Sequence, residues 1–147
     1  MQEFFANIGA NNVLWTALLS WLVAQVSKVA LNVWSNGHFD LRRLVGAGGM
    51  PSSHTALVIA LAIKIGRSMG WHSEYFAIAA VLAGVVMYDA AGVRRATGQQ
   101  AEVLNKMMSD IYHGEPIKPE RLKELIGHSP LEILAGAIIG IICGVLL

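Results

Sequence analysis

The sequence predicts an all-α protein: an integral membrane helical bundle of about four transmembrane helices, with one amphipathic helix at the surface. Three observations carry this. Hydrophobic residues make up 54% of the 147 residues and charged residues only 14%, with a mean hydropathy of +0.51. A soluble domain carries about 25% charged residues, so the surplus apolar surface needs lipid to cover it. The apolar residues fall into four runs near the bilayer-crossing length of about 20 residues at 1.5 Å rise. No alternation of period two persists along the chain, which argues against a β-barrel. One membrane-embedded domain, 1–147, is expected.

Taken in order, residues 1–12 carry Glu3 and no Lys or Arg, so they do not read as a secretory signal. The first span is expected at about 13–34, with Trp15, Trp21 and Trp34 along it and one charge, Lys28, in its last third. The second, at about 53–69, has Lys64 and Arg67 near its far end, placed to snorkel toward headgroups. The third, at about 75–91, ends near Asp89, and the fourth, 130–147, is apolar apart from Glu132. Between the last two lies a polar stretch, 94–128. Within it 101–112 reads as an amphipathic helix, with Val103, Leu104, Met107, Met108 and Ile111 on one side. It is expected on the membrane surface or over the site. A loop at 114–119 and a short helix at 120–126, stopped by Gly127, complete the stretch.

Lys and Arg in the loops suggest orientation. The first loop holds Arg42 and Arg43; the third holds Arg94, Arg95, Lys106, Lys118, Arg121 and Lys123. Both are expected in the cytoplasm, in a bacterial cytoplasmic membrane, with the two termini outside. A net charge of +1 without a basic, aromatic-laced stripe excludes nucleic acid as a partner. The lone Cys143 reads as packing. Gly136, Gly140 and Gly144 repeat every four residues, a close-packing helix face for use within the chain or in a homodimer.

The most informative stretch is Gly48-Gly49-Met50-Pro51-Ser52-Ser53-His54, a glycine-rich turn that opens a helix. The first N–H groups of a helix lack intrahelical partners and carry partial positive charge, which suits phosphate. Ser52 or Ser53 can cap that helix, and His54 could exchange a proton with a phosphate oxygen. The bland alternative is a capped membrane helix with an incidental histidine. Antiparallel spans would bring Lys28, His54, Asp89, Arg94, Arg95, His128 and Glu132 to one membrane face. His128 and Glu132, four apart, would share a helix face. The carboxylate could then hold Nδ1 and leave Nε2 as a nucleophile. The alternative is an interfacial histidine beside a glutamate paired with a base. Asp89 reads as structural, pairing with Arg94 or Lys28. His38 and His72 read as loop residues. His113 and Glu115 lack companions for a metal set, so no metal or other cofactor is expected.

Pro51-Ser52-Ser53-His54 resembles the Pro-Ser-Gly-His signature of the type-2 phosphatidic acid phosphatase and vanadium haloperoxidase superfamily. His128-Ser129-Pro130-Leu131-Glu132, followed by Ala135-Gly136, resembles its other signature, a histidine with an aspartate four residues on. Tyr88-Asp89-Ala90-Ala91-Gly92-Val93-Arg94-Arg95 looks like the small divergent membrane branch of that superfamily. The resemblance implies a metal-independent lipid phosphate or diphosphate phosphatase. His128 would form a phosphohistidine, oriented by Glu132, and His54 would protonate the leaving oxygen. Ser52 would bind phosphate through its hydroxyl and Ser53 through its N–H, with Lys28, Arg94 and Arg95 as the cations. The family's arginine stands just ahead of its histidine, whereas Arg94 and Arg95 precede His128 by more than thirty residues. The substrate would be a lipid phosphate and the surroundings membrane lipid. Two other classes are a lipid-phosphate binding or flipping protein and a structural membrane subunit.

Overall fold

The structure, a computed structural model, describes residues 1–37, 49–111 and 128–147. Expectations for His38, Arg42, Arg43, His113, Glu115, Lys118, Arg121, Lys123, the 114–119 loop and the 120–126 helix lie outside the described residues, as do those for the side chains of Arg94, Arg95 and Ile111. Among the described residues all regular structure is helical: α1 (Gln2–Gly9), α2 (Asn12–Asn36), α3 (Ser53–Met69), α4 (Glu74–Ala91), α5 (Val93–Ile111) and α6 (Pro130–Leu146).

The helix starts follow local chemistry. Asn11, Ser52, Ser73 and Ser129 are the N-caps of α2, α3, α4 and α6, and each side-chain oxygen accepts an N–H of the first turn. Gly37 ends α2 at φ 69°, a left-handed conformation that glycine adopts without strain. The sequence pattern gave no sign of α1. Its tie to the rest is Trp15, whose Nε1 donates to the carbonyls of Ile8 at 3.2 Å and Gly9 at 3.1 Å.

Two of the four expected spans have the length and apolarity to cross a membrane: Asn12–Trp34 within α2, and α4. The helix α6 is apolar but 17 residues long; α3 has the same length and carries Lys64 and Arg67. At 1.5 Å per residue such helices cover about 25 Å, short of the ~30 Å hydrocarbon core. Lys64 and Arg67 also do more than snorkel. Lys64 Nζ donates to the Leu147 carbonyl at 2.8 Å, and Arg67 donates to those of Gly144, at 3.3 Å, and Val145. The two cations thus satisfy carbonyls at the C-terminal end of α6, where the helix dipole favours positive charge.

The distribution of side chains is inverted relative to a water-soluble bundle. The buried apolar residues are alanines with Val29, Val58 and Cys143. Leucines, isoleucines, aromatics and several valines stand outside, among them Trp15, Leu22, Ile78, Val85, Leu134 and Ile142. Soluble domains bury such residues, whereas helices in lipid pack through small ones. An exposed apolar surface this continuous requires an apolar medium. The amphipathic helix begins earlier than expected, at Val93 rather than 101, because Gly92 redirects the chain without interrupting it: its N–H still donates to the Tyr88 carbonyl. Gly98 and Ala101 of α5 are buried, while Val103, Leu104, Met107 and Met108 remain exposed.

The central contact joins α3 to α6, which run parallel. A Cβ at Gly136 would lie 2.3 Å from the Ser52 carbonyl oxygen, one at Gly140 2.7 Å from that of Ala56, and one at Gly144 3.1 Å from that of Ala60. Each glycine therefore sits on a backbone carbonyl, four residues on from the last in both helices. The glycine face is thus used within the chain, against α3. Gly84 of α4, by contrast, has open space around it. Gly136→Ala should accordingly lower stability by about 1–3 kcal/mol through overpacking, while Gly84→Ala should be neutral or stabilising by up to ~1 kcal/mol. Thermal unfolding of the two variants in detergent checks this, and equal responses would contradict the packing.

Candidate functional site

The site begins where the α3–α6 contact ends. Gly49, at φ 92°, turns the chain into Pro51, and Ser52 then caps α3. The Ser52 Oγ accepts from the Thr55 N–H at 3.4 Å and from Thr55 Oγ1 at 3.0 Å. Its own N–H donates to the Glu132 carbonyl at 2.9 Å, which fastens the start of α3 to the first turn of α6. Ser52, Ser53 and Thr55 are all buried.

At the start of α6, Ser129 and Glu132 form a capping box: the Glu132 N–H donates to Ser129 Oγ at 3.3 Å, and the Ser129 N–H donates to Glu132 Oε2 at 3.3 Å. The same Oε2 lies 2.7 Å from His128 Nδ1. One carboxylate therefore caps the helix and fixes the histidine ring. The His128 N–H donates to the Ala90 carbonyl at 3.1 Å, near the end of α4. The residue is only 2% exposed, and among the described residues its Nε2 meets no hydrogen-bond partner. An unsatisfied buried polar atom costs about 1–3 kcal/mol, so one held in place by a short bond on the opposite nitrogen calls for an explanation. The His54 ring lies across from it, centroids 6.4 Å apart and planes at 52°.

The structure thus brings together Ser52, Ser53, His54, His128 and Glu132. Asp89 is half-buried beside Ala90, the residue that meets His128. Lys28 is 2% exposed, inside the bundle on α2. The helix α5 starts immediately after Gly92, so the backbone of Arg94 and Arg95 begins within about a turn of Ala90. Three participants escaped the sequence reading. The pattern Ser129-Pro130-Leu131-Glu132 was readable as a capping box. Thr55 was legible only as part of an apolar run, and the Ala90 carbonyl left no signal in the sequence. Among the described residues no group of three or more His, Cys, Asp or Glu side chains could hold a metal ion.

Fold and site together define a class: a helical bundle with a lipid-type exterior and a cluster of buried polar groups at the starts of α3 and α6, around a histidine pair and one carboxylate. A family model described as the Divergent PAP2 family matches residues 9–143, and the chain belongs to that family. It is 37% identical over 143 residues to the "Uncharacterized membrane protein YuiD" of Bacillus subtilis (strain 168), an alignment that covers 90% of each chain. No solved structure matches. The divergent-branch resemblance drawn from the motifs is thereby borne out.

The double duty of Glu132 separates two substitutions. Glutamine still serves at this position of a capping box, so Glu132→Gln should stay within about 0.5 kcal/mol of wild-type stability. Glu132→Ala removes the box and the tie to His128 and should cost about 1–2 kcal/mol. Thermal or denaturant unfolding of both variants measures the difference.

Proposed function

We propose that this chain is a membrane lipid-phosphate phosphatase that works through a phosphohistidine on His128. One observation supports this above the others: Nδ1 of His128 is engaged by a carboxylate while Nε2 is left without a partner, opposite a second histidine. That is the arrangement an imidazole nucleophile needs. Family membership supports the same reading. The name of the Bacillus relative, a membrane protein, and the two helices long enough to span support a membrane location.

In this mechanism Nε2 attacks phosphorus and the bond from phosphorus to the lipid oxygen breaks. His54 passes a proton to that oxygen, releasing a lipid alcohol, or a lipid monophosphate from a diphosphate. Water then gives a proton to His54 and attacks the phosphohistidine; the P–N bond breaks and inorganic phosphate leaves. Glu132 stabilises the ring as it gains positive character. The N–H of Ser53 in the first turn of α3, the Ser52 hydroxyl and the cations Lys28, Arg94 and Arg95 offset charge on the phosphoryl oxygens. The lipid tail stays in the bilayer, with the site at the interface. On the loop charges that interface is the cytoplasmic one, which favours newly made phospholipid precursors such as phosphatidic acid or phosphatidylglycerophosphate.

The test is phosphate release from a panel of lipid phosphates by detergent-purified protein without added metal, with His128→Ala and His54→Ala alongside. Turnover should vanish in His128→Ala and fall by about 100-fold or more in His54→Ala. Wild-type silence across the panel, with lipid-phosphate binding that survives His128→Ala, would replace the phosphatase reading with a binding or flipping one.

A further inference from the structure

Ser52 is fully buried, and its hydroxyl is spoken for in an unusual way. A serine hydroxyl has one donor and two acceptor positions. Thr55 supplies two donors to it, the N–H at 3.4 Å and Oγ1 at 3.0 Å. A threonine in a helix commonly turns its hydroxyl back to a carbonyl three or four residues earlier; here it goes to the side chain of the N-cap instead. Thr55 is itself fully buried, and its Cβ would stand 3.1 Å from a Cβ at Gly136, so α6 packs directly on it.

We propose that Thr55 is a positioning residue for the phosphate site, filling both acceptor positions of Ser52 Oγ so that the Ser52 hydroxyl faces the ligand only as a donor. This rests on the phosphate reading above. A hydroxyl free to rotate could accept from the protein's own donors or from a protonated ligand oxygen. One whose lone pairs are taken is matched to an acceptor-only partner, a deprotonated phosphoryl oxygen. His128 Nε2, buried and without a partner among the described residues, is a second polar atom of the cluster whose hydrogen-bonding capacity is left over for a ligand. Thr55 touches neither the phosphoryl group nor the histidines in this scheme; it acts through Ser52.

The experiment measures the affinity of detergent-purified protein for orthovanadate and inorganic phosphate, by ligand-induced thermal stabilisation, beside turnover of the best lipid phosphate. The variants are Thr55→Val, Thr55→Ser, Ser52→Ala and the Thr55→Val/Ser52→Ala double variant. Valine keeps the shape of threonine and removes only the hydroxyl donor. Thr55→Val should weaken anion binding by about tenfold, Thr55→Ser should restore it to within about twofold, and Thr55→Val should add nothing once Ser52 is alanine. Wild-type affinity in Thr55→Val, or an equal loss with and without Ser52, would overturn the assignment while leaving the phosphate site standing. A folded wild type with no anion affinity and no turnover would overturn both.

Discussion

The parallel contact between α3 and α6 is the constraint on which the rest of the molecule depends. Helices in lipid gain little from hiding apolar surface from one another and must gain instead from close approach and from hydrogen bonds. Here Gly136, Gly140 and Gly144 place the backbone of α6 on successive carbonyls of α3, an approach that any side chain would prevent. The Ser52 N–H closes the upper end onto the Glu132 carbonyl, and Lys64 and Arg67 close the other end onto the last carbonyls of α6. The buried Ser20 adds a bond from α2 to the Ala56 carbonyl, at 3.0 Å. The interior can then be built from alanine, serine and threonine, and the large apolar residues are left to meet lipid.

The site is a consequence of that contact. The two helices run parallel, and the start of α3, with its partial positive charge, docks on the first turns of α6: Ser52 lies beside Gly136 with its N–H on the Glu132 carbonyl. The cap and first turn of α3 bring Ser52, Ser53 and His54; the residues before α6 bring His128. Glu132 is economical, since the carboxylate that completes the cap of α6 also holds His128. What remains unmet is Nε2 of that ring. A buried orphan atom in an otherwise well-satisfied polar cluster is the kind of local inconsistency that proteins retain where they work.

Much of the fold was legible because it is local. All four apolar runs form helices within a residue or two of their expected limits, and Asn11, Ser52, Ser73 and Ser129 start them by ordinary capping. The misreadings have equally local causes. Polarity at residues 93–100 hid the first turns of α5, although helix propensity there was adequate. The α1 helix is only eight residues long, and its anchor, Trp15, lies in the next helix. The length and apolarity that mark α2 and α4 as spans do not mark α3 and α6, each 17 residues long, and α3 sets Lys64 and Arg67 on the end of α6.

By itself the sequence determined the helical class, the apolar exterior and the two histidine motifs, because hydropathy, capping and i to i+4 spacing are properties of neighbouring residues. The His128–Glu132 pair is local too, although His128 stands just ahead of the N-cap Ser129, so the contact belongs to the cap and not to the expected shared helix face. Tertiary structure alone decided that the glycine face is used against α3, that Ser52 docks on Glu132, that His54 stands opposite His128, and that the His128 N–H meets the Ala90 carbonyl. Each of these depends on distances between segments far apart in the chain, and such distances are set by how closely two helices can approach, which no single segment encodes.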